Sequence, residues 1–200
     1  MKVISTEYSQ ILAARLANAM KSDLVDVRFS RFPDGELNLK AGQVGDEVLV
    51  VGSVTCSDAL VQLVLLIDAC QGSEITLVVP YMGYARQDKQ FSPGEPLSAR
   101  AIAGVLSREI QRAFLVNVHD PGVLRFFSVP AQTLSLAPEI GTFLKQRGCM
   151  HPLILAPDDG AARFAAEVAG VNGWEFDFLE KTRISSETVS MSPKNLVVKG

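Results

Sequence analysis

The sequence predicts an α/β protein with parallel sheets flanked by helices, arranged as two tandem domains of which the second is incomplete. Three observations predict it. Apolar strand-like runs alternate with segments of helical periodicity, the order that produces a parallel sheet covered on both faces. Charged clusters fall just after the predicted strands: "GYARQDK" after Val79, "HD" after Val118, "PDDG" after Ala156 and "EKTR" after Leu179. Open α/β sheets bind their ligands at the carboxyl ends of strands. The alternation is interrupted near residues 135–152 by Pro138 and by His151-Pro152, which sets 1–137 as the first domain and 138–200 as the start of the second.

Taken in order, "KVIS" is the first strand. Tyr8, Ile11, Leu12, Leu16 and Met20 then share one helical face, with Thr6 as the cap. "VDVRF" alternates like a half-exposed strand at Val25, Val27 and Phe29, and Pro-Asp-Gly in "RFPDGELNLK" is a turn signal between two strands. "EVLVVGSV" is a continuous apolar strand, and "SDALVQLVLLIDACQ" a capped helix. "EITLVVPY", a helix from about Ser98 to Ile110, and "AFLVNVH" repeat the theme. "EIGTFLKQRG" is a helix, "PLILAP" a buried strand, "GAARFAAEVAG" a helix and "WEFDFLEK" a strand. The Ser/Thr-rich stretch that follows is expected to be mobile, and "LVVKG" to open one more strand.

The composition narrows the function classes. The chain has 200 residues, 48% hydrophobic and 20% charged, enough for a substantial core. Its net charge of -3 lacks the basic surplus of a general nucleic-acid binder. Cys56, Cys70 and Cys149 form no CxxC pair, which favours a reducing, cytoplasmic setting over a disulfide scaffold. No apolar run approaches the ~20 residues of a membrane span, and "MKVISTEYSQ" does not have the form of a signal peptide.

The clusters carry the chemistry. Arg86 presents a planar fork of donors suited to phosphate and Lys89 a point charge, while Gln87 can read a base edge and Asp88 adds a carboxylate. A solvated loop accounts for the same composition. His119 at a strand end suits a divalent ion or a phosphate, or a structural role. Asp158 and Asp159 are oxygen donors of the kind Mg2+ takes, and one of them also suits a helix cap. Lys181 and Arg183 fall on one side of an extended segment and suit a phosphoryl-transfer transition state, or the exposed face of a hairpin. As a bare turn, "PDGE" requires no function. Neither GxxxxGK[ST] nor GxGxxG is present.

Together these residues resemble the ribose-phosphate diphosphokinase (phosphoribosyl pyrophosphate synthetase) family, in its shorter archaeal-type form, along essentially the whole chain. "FPDGE" resembles the family's F-x-D-G-E turn, and "VPYMGYARQDK" its P-Y-x-x-Y-A-R-Q-D-[KR] segment. "HDPGVLRFFSVP" resembles its histidine segment, "PDDGAARFA" its P-D-x-G segment and "EKTR" its catalytic K-x-R. The resemblance implies two phosphoribosyltransferase-like domains. It also implies transfer of the β,γ-diphosphoryl group of Mg-ATP to the 1-hydroxyl of ribose 5-phosphate, giving phosphoribosyl pyrophosphate and AMP. Arg86, Gln87 and Asp88 would then lie at ATP. Phe32, Asp34 and Glu36 would reach the adenine of a neighbouring subunit, so the "PDGE" turn becomes functional and a homodimer or larger homo-oligomer is expected. His119 would sit at the ATP phosphates and the metal, Asp158 and Asp159 at the ribose with Asp158 at a second metal position, and Lys181 and Arg183 over the transferring group.

Two departures from the family pattern qualify this. Asn117 stands where the family usually has an aspartate, two residues before the histidine. The chain also reaches Gly200 before the family's pentose-phosphate loop, so a 200-residue chain by itself is expected to be inactive. These departures support an alternative, a non-catalytic nucleotide-binding partner or regulator, which the intact "RQDK", "PDDG" and "EKTR" oppose. An ordinary phosphoribosyltransferase would need the pentose loop and has no need for "ARQDK".

Overall fold

The structure is a computed structural model that describes residues 1–183 and 189–193; for 181–183 and 189–193 only the backbone is described. It divides into two compact units, Met1–Leu134 and a second from Ser135 onward.

The first unit is built on a five-stranded sheet of β1 (Lys2–Ser5), β4 (Glu47–Val51), β5 (Glu74–Val79), β6 (Arg112–Val116) and β7 (Ala131–Leu134). The strands lie in the order β1-β4-β5-β6-β7, and every neighbouring pair is parallel. Register carries one apolar row across all five: Ile4 opposite Val50, Val50 opposite Leu77, Leu77 opposite Ala113 and Ala113 opposite Ala131. Val48 to Val51 are buried on both faces, as the unbroken apolar run of β4 requires of a central strand. β5 alternates instead, with Ile75, Leu77 and Val79 fully buried between half-buried Thr76 and Val78.

Alternation sends the two faces to two sets of helices. Ile4, Val48, Val50, Ile75, Leu77 and Leu115 pack with Leu63, Leu66 and Ile67 of α2 (Ser57–Asp68) and with Ala99, Ala103 and Leu106 of α3 (Ser98–Leu106). Val3, Leu49 and Val51 pack with Ala13 and Ala17 of α1 (Gln10–Met20). Each fully buried Leu or Ile contributes about 1.5–3 kcal/mol.

The buried face of α1 differs from the expected one. Tyr8, Ile11, Leu12 and Met20 are exposed, Ile11 at 75%, and the helix rests on Ala13 and Ala17 with Leu16 at the margin. Small side chains let the helix approach the sheet closely, and a reading weighted by large apolar residues selects the wrong stripe. Nor does Thr6 cap: its buried hydroxyl has no partner among the described residues. Gln62 of α2 does that work across the fold, its Oε1 accepting from the Glu7 amide at 3.3 Å and its Nε2 donating to Glu7 Oε2 at 3.1 Å. The residue before α2 is Cys56, with no oxygen to offer as a cap. α3 stops at Leu106, short of Ile110.

β2 (Val27–Arg31) and β3 (Leu37–Ala41) form the antiparallel hairpin expected around Pro-Asp-Gly. β7 has no sequence signal beyond a short apolar alternation in "AQTL" and was not expected.

In the second unit α4 (Ala137–Gln146) and α5 (Ala162–Gly170) accompany a three-stranded sheet in the order β10-β9-β8. β8 (Ile154–Ala156) runs parallel to β9 (Phe176–Arg183). β9 then pairs antiparallel with β10 (Val189–Pro193), from Val189 opposite Arg183 to Pro193 opposite Leu179. Part of the stretch expected to be mobile is thus one arm of a hairpin. Residues 184–188, and the strand expected at "LVVKG", lie outside the described residues. Among the described residues no helix is long and apolar enough to cross a membrane.

Candidate functional site

Because β4, β5 and β6 are adjacent and parallel, the segments leaving their carboxyl ends lie side by side. The pairing of β4 with β5 continues past both strands as a single bridge between Val54 and Met82. There Gly83 donates its amide to the Val54 carbonyl at 3.0 Å, and a Cβ on Gly83 would lie 2.3 Å from that same oxygen. No other residue fits without moving the backbone. The next residue, Tyr84, has φ 64°, a left-handed conformation that is an outlier for a bulky side chain and costs of order 1–3 kcal/mol. Its hydroxyl lies 2.8 Å from Ser57 Oγ, on the first residue of α2.

This sharp exit from β5 carries Arg86, Gln87, Asp88 and Lys89. Gln87 is held at both ends: its backbone carbonyl accepts from the Ala99 amide at 3.2 Å and its Oε1 from Ser98 Oγ at 2.8 Å, at the start of α3. The side-chain oxygen is therefore engaged, and Nε2 is what remains for a ligand. Arg86, Asp88 and Lys89 form no hydrogen bond or ion pair among the described residues; Arg86 and Lys89 are exposed and Asp88 half-buried. A cation pair flanking a carboxylate on a loop anchored behind it is a charge set that can hold an anionic ligand.

His119 follows β6 in the adjacent loop and is exposed, with no partner among the described residues. Asp120 Oδ1 accepts from the Gly122 amide at 2.6 Å and caps the 3-10 turn Pro121–Phe126. Asn117 has φ 45°. Asparagine, like aspartate, is among the few non-glycine residues that enter this region readily, so the backbone accommodates either at the position.

The hairpin tip holds Phe32, Asp34 and Glu36, all exposed. Phe32 donates its amide to the Glu36 carbonyl and Gly35 to Phe32, both at 2.9 Å, while Asp34 Oδ1 accepts from the Glu36 amide at 3.2 Å. Gly35 supplies the φ of 94° that the turn requires. Arg31, at the end of β2, donates to the Gly35 carbonyl at 2.8 Å and to Asp58 Oδ2 at 2.5 Å. Sequence reasoning missed Arg31, Ser57 and Asp58; the signals that could have found them are an arginine abutting the turn and a Ser-Asp pair opening α2.

In the second unit Asp158 Oδ1 accepts from the Ala161 amide at 3.2 Å, so it does cap the short 3-10 turn that precedes α5. Asp159 is exposed and its side chain forms no hydrogen bond or ion pair among the described residues. Lys181 and Arg183 occupy alternate positions of β9, which places them on one face of the strand. Their side chains lie outside the described residues. Among the described residues no three His, Cys, Asp or Glu side chains converge.

Among the three cysteines, Cys56 precedes α2 in the exposed segment beside Tyr8. The backbone amide of Ala59 holds its thiol below the usual range, with Tyr8 assisting. Cys70 is fully buried, and loss of solvent pushes its thiol up to about 11.

A parallel α/β unit with charged, glycine-shaped loops at the carboxyl ends of its central strands defines the class of ligand-binding α/β proteins. Comparison with known proteins narrows it. Residues 1–109 match the family model described as the N-terminal domain of ribose phosphate pyrophosphokinase. The ribose-phosphate pyrophosphokinase of Methanosarcina mazei is 43% identical over 203 aligned positions, covering 100% of this chain and 68% of that protein. Those of Methanosarcina acetivorans and Methanopyrus kandleri are 44% and 39% identical, each covering 100% of this chain and 71% of theirs. The phosphoribosylpyrophosphate synthetase structure from Mycobacterium smegmatis superposes with a TM-score of 0.78 at 24% identity, over 96% of this chain and 66% of that one, and supports the fold. The chain belongs to the ribose-phosphate pyrophosphokinase family, whose members are diphosphoryl-transferring enzymes of nucleotide biosynthesis.

Proposed function

We propose that this chain supplies the nucleotide site and the catalytic cations of a ribose-phosphate diphosphokinase. The reaction moves the β,γ-diphosphoryl group of Mg-ATP to the 1-hydroxyl of ribose 5-phosphate. The hydroxyl oxygen bonds to the β-phosphorus as the bond to the α-phosphate oxygen breaks; the hydroxyl proton is lost and AMP leaves. The observation that carries this reading is the loop after β5, whose Gly83–Tyr84 exit leaves Arg86, Asp88 and Lys89 without partners among the described residues.

Each residue then has a role. Arg86 binds phosphate bidentately and Gln87 presents its Nε2 to the nucleotide, with Asp88 beside them. His119 meets the ATP phosphates and the metal. Phe32, Asp34 and Glu36 reach the adenine bound to a neighbouring copy, so the active form is a homodimer or larger, located in the cytoplasm. Asp158 and Asp159 lie at the ribose. Lys181 and Arg183 offset charge on the transferring group, where positioning and electrostatics supply most of the acceleration.

Asp158 fits Mg2+ chemically, because one carboxylate oxygen caps a turn and the other remains as a hard donor, and such ions take one or two carboxylates plus substrate phosphates. Bound there, the ion would neutralise charge on the diphosphate oxygens.

Asn117 favours one competing reading, a nucleotide-binding partner without turnover, because an amide brings no charge to the histidine segment. Calorimetric titration with Mg-ATP tests what both share. Binding weakened about 10-fold or more by Arg86→Ala is expected, since a bidentate charge-assisted contact is lost. Undiminished binding in Arg86→Ala would remove this loop from the nucleotide site. Formation of AMP by the protein as encoded, on addition of ribose 5-phosphate, separates the enzyme from the regulator.

A further inference from the structure

The Phe32–Glu36 turn and the Arg86–Lys89 loop are far apart in sequence, yet both are fastened to adjacent residues. Asp58 Oδ2 receives Arg31, whose other nitrogen donates to the Gly35 carbonyl inside the turn. Ser57 Oγ pairs with the Tyr84 hydroxyl at 2.8 Å, at the residue that carries the strained φ of 64°. α2, with Leu63 and Leu66 fully buried against the sheet, is a rigid base for both ties.

We propose that Ser57 and Asp58 are positioning residues of the nucleotide site, Ser57 for the Arg86–Lys89 loop through Tyr84 and Asp58 for the Phe32–Glu36 turn through Arg31. The proposal rests on the nucleotide reading given above. Neither residue needs to touch the nucleotide. A left-handed tyrosine relaxes toward ordinary backbone conformations unless something holds it, and the phenol is what the structure shows being held. Freed, the loop would present Arg86 and Asp88 over a wider range of positions, and binding would include the cost of ordering them. In the shared-site arrangement the turn serves a neighbouring copy, so one turn of helix sets parts of two nucleotide sites.

Amide hydrogen exchange of the protein without ligand, paired with Mg-ATP titration, tests this. Tyr84→Phe and Ser57→Ala should each speed exchange of amides at 84–89 and weaken Mg-ATP binding by about 3- to 10-fold, the value of one hydrogen bond. The double variant should be no worse than either single one, because both remove the same contact. Ser57→Thr, which restores a hydroxyl, should recover the wild-type values. Asp58→Asn should speed exchange at 32–36 and leave 84–89 unchanged. Unchanged exchange and affinity in Tyr84→Phe, or effects that add in the double variant, would overturn the proposal. If exchange shifts as described but the wild-type chain binds no Mg-ATP, the anchoring stands and the nucleotide reading falls.

Discussion

At Gly83 a single hydrogen atom decides how the loop leaves β5, because a methyl group would meet the Val54 carbonyl at 2.3 Å. Gly83→Ala should therefore cost about 1–3 kcal/mol, as overpacking does. The denaturant midpoint reads this, and a midpoint within error of wild type would contradict the packing described. The cysteines give a second check at this scale. Cys56 is exposed and its thiol is held below the usual range by the Ala59 amide, so iodoacetamide should label it at lower pH than a free cysteine. Cys70, buried with its thiol raised to about 11, should stay unlabelled until the protein unfolds. Equal labelling of the two in the native protein would be inconsistent with the fold. Gly83 and Tyr84 lie in the "GYARQDK" cluster that the sequence marks after Val79. The steric reason for Gly83 was not legible, because it depends on the Val54 carbonyl, far away in the sequence.

Secondary elements divide by how their burial is encoded. β4 and β5 were legible because an unbroken apolar run and an alternating one are distinct patterns. The hairpin β2–β3 was legible because Pro-Asp-Gly specifies its own turn. α1 was misread: its inward stripe is Ala13 and Ala17, and alanine gives a weak periodic signal. The consequence is measurable. Ala17→Leu should destabilise by about 1–3 kcal/mol through overpacking, whereas Ile11→Ser, at a position 75% exposed, should change stability by less than about 0.5 kcal/mol. Thermal or denaturant unfolding of the two variants checks this, and a reversed order would restore the original stripe. β7 and β10 escaped notice because short strands need few apolar residues to mark them. The candidate site was legible as clusters after strands, since that is where parallel sheets collect ligands. Its supports at Arg31, Ser57 and Asp58 were not, since each is defined by a contact between distant segments.

For the whole molecule, the charged clusters fall in two units. The Arg86–Lys89 loop and His119 belong to Met1–Leu134, while Asp158, Asp159, Lys181 and Arg183 belong to the unit that follows. On the proposed mechanism the two cations act mainly in the transition state. Lys181→Ala or Arg183→Ala in the protein as encoded should then lower kcat by about 100-fold or more while Mg-ATP affinity stays within about 2-fold. Steady-state kinetics with parallel titration calorimetry measures both, and near-normal turnover would take these residues out of the chemistry. The central claim is that a diphosphoryl group moves as one piece. The most direct measurement is 31P NMR of the protein as encoded with Mg-ATP and ribose 5-phosphate. The account predicts AMP accumulating together with a new sugar diphosphate ester, in equal amounts and only when the sugar is present. ADP as the nucleotide product, or consumption of ATP indifferent to ribose 5-phosphate, would contradict it.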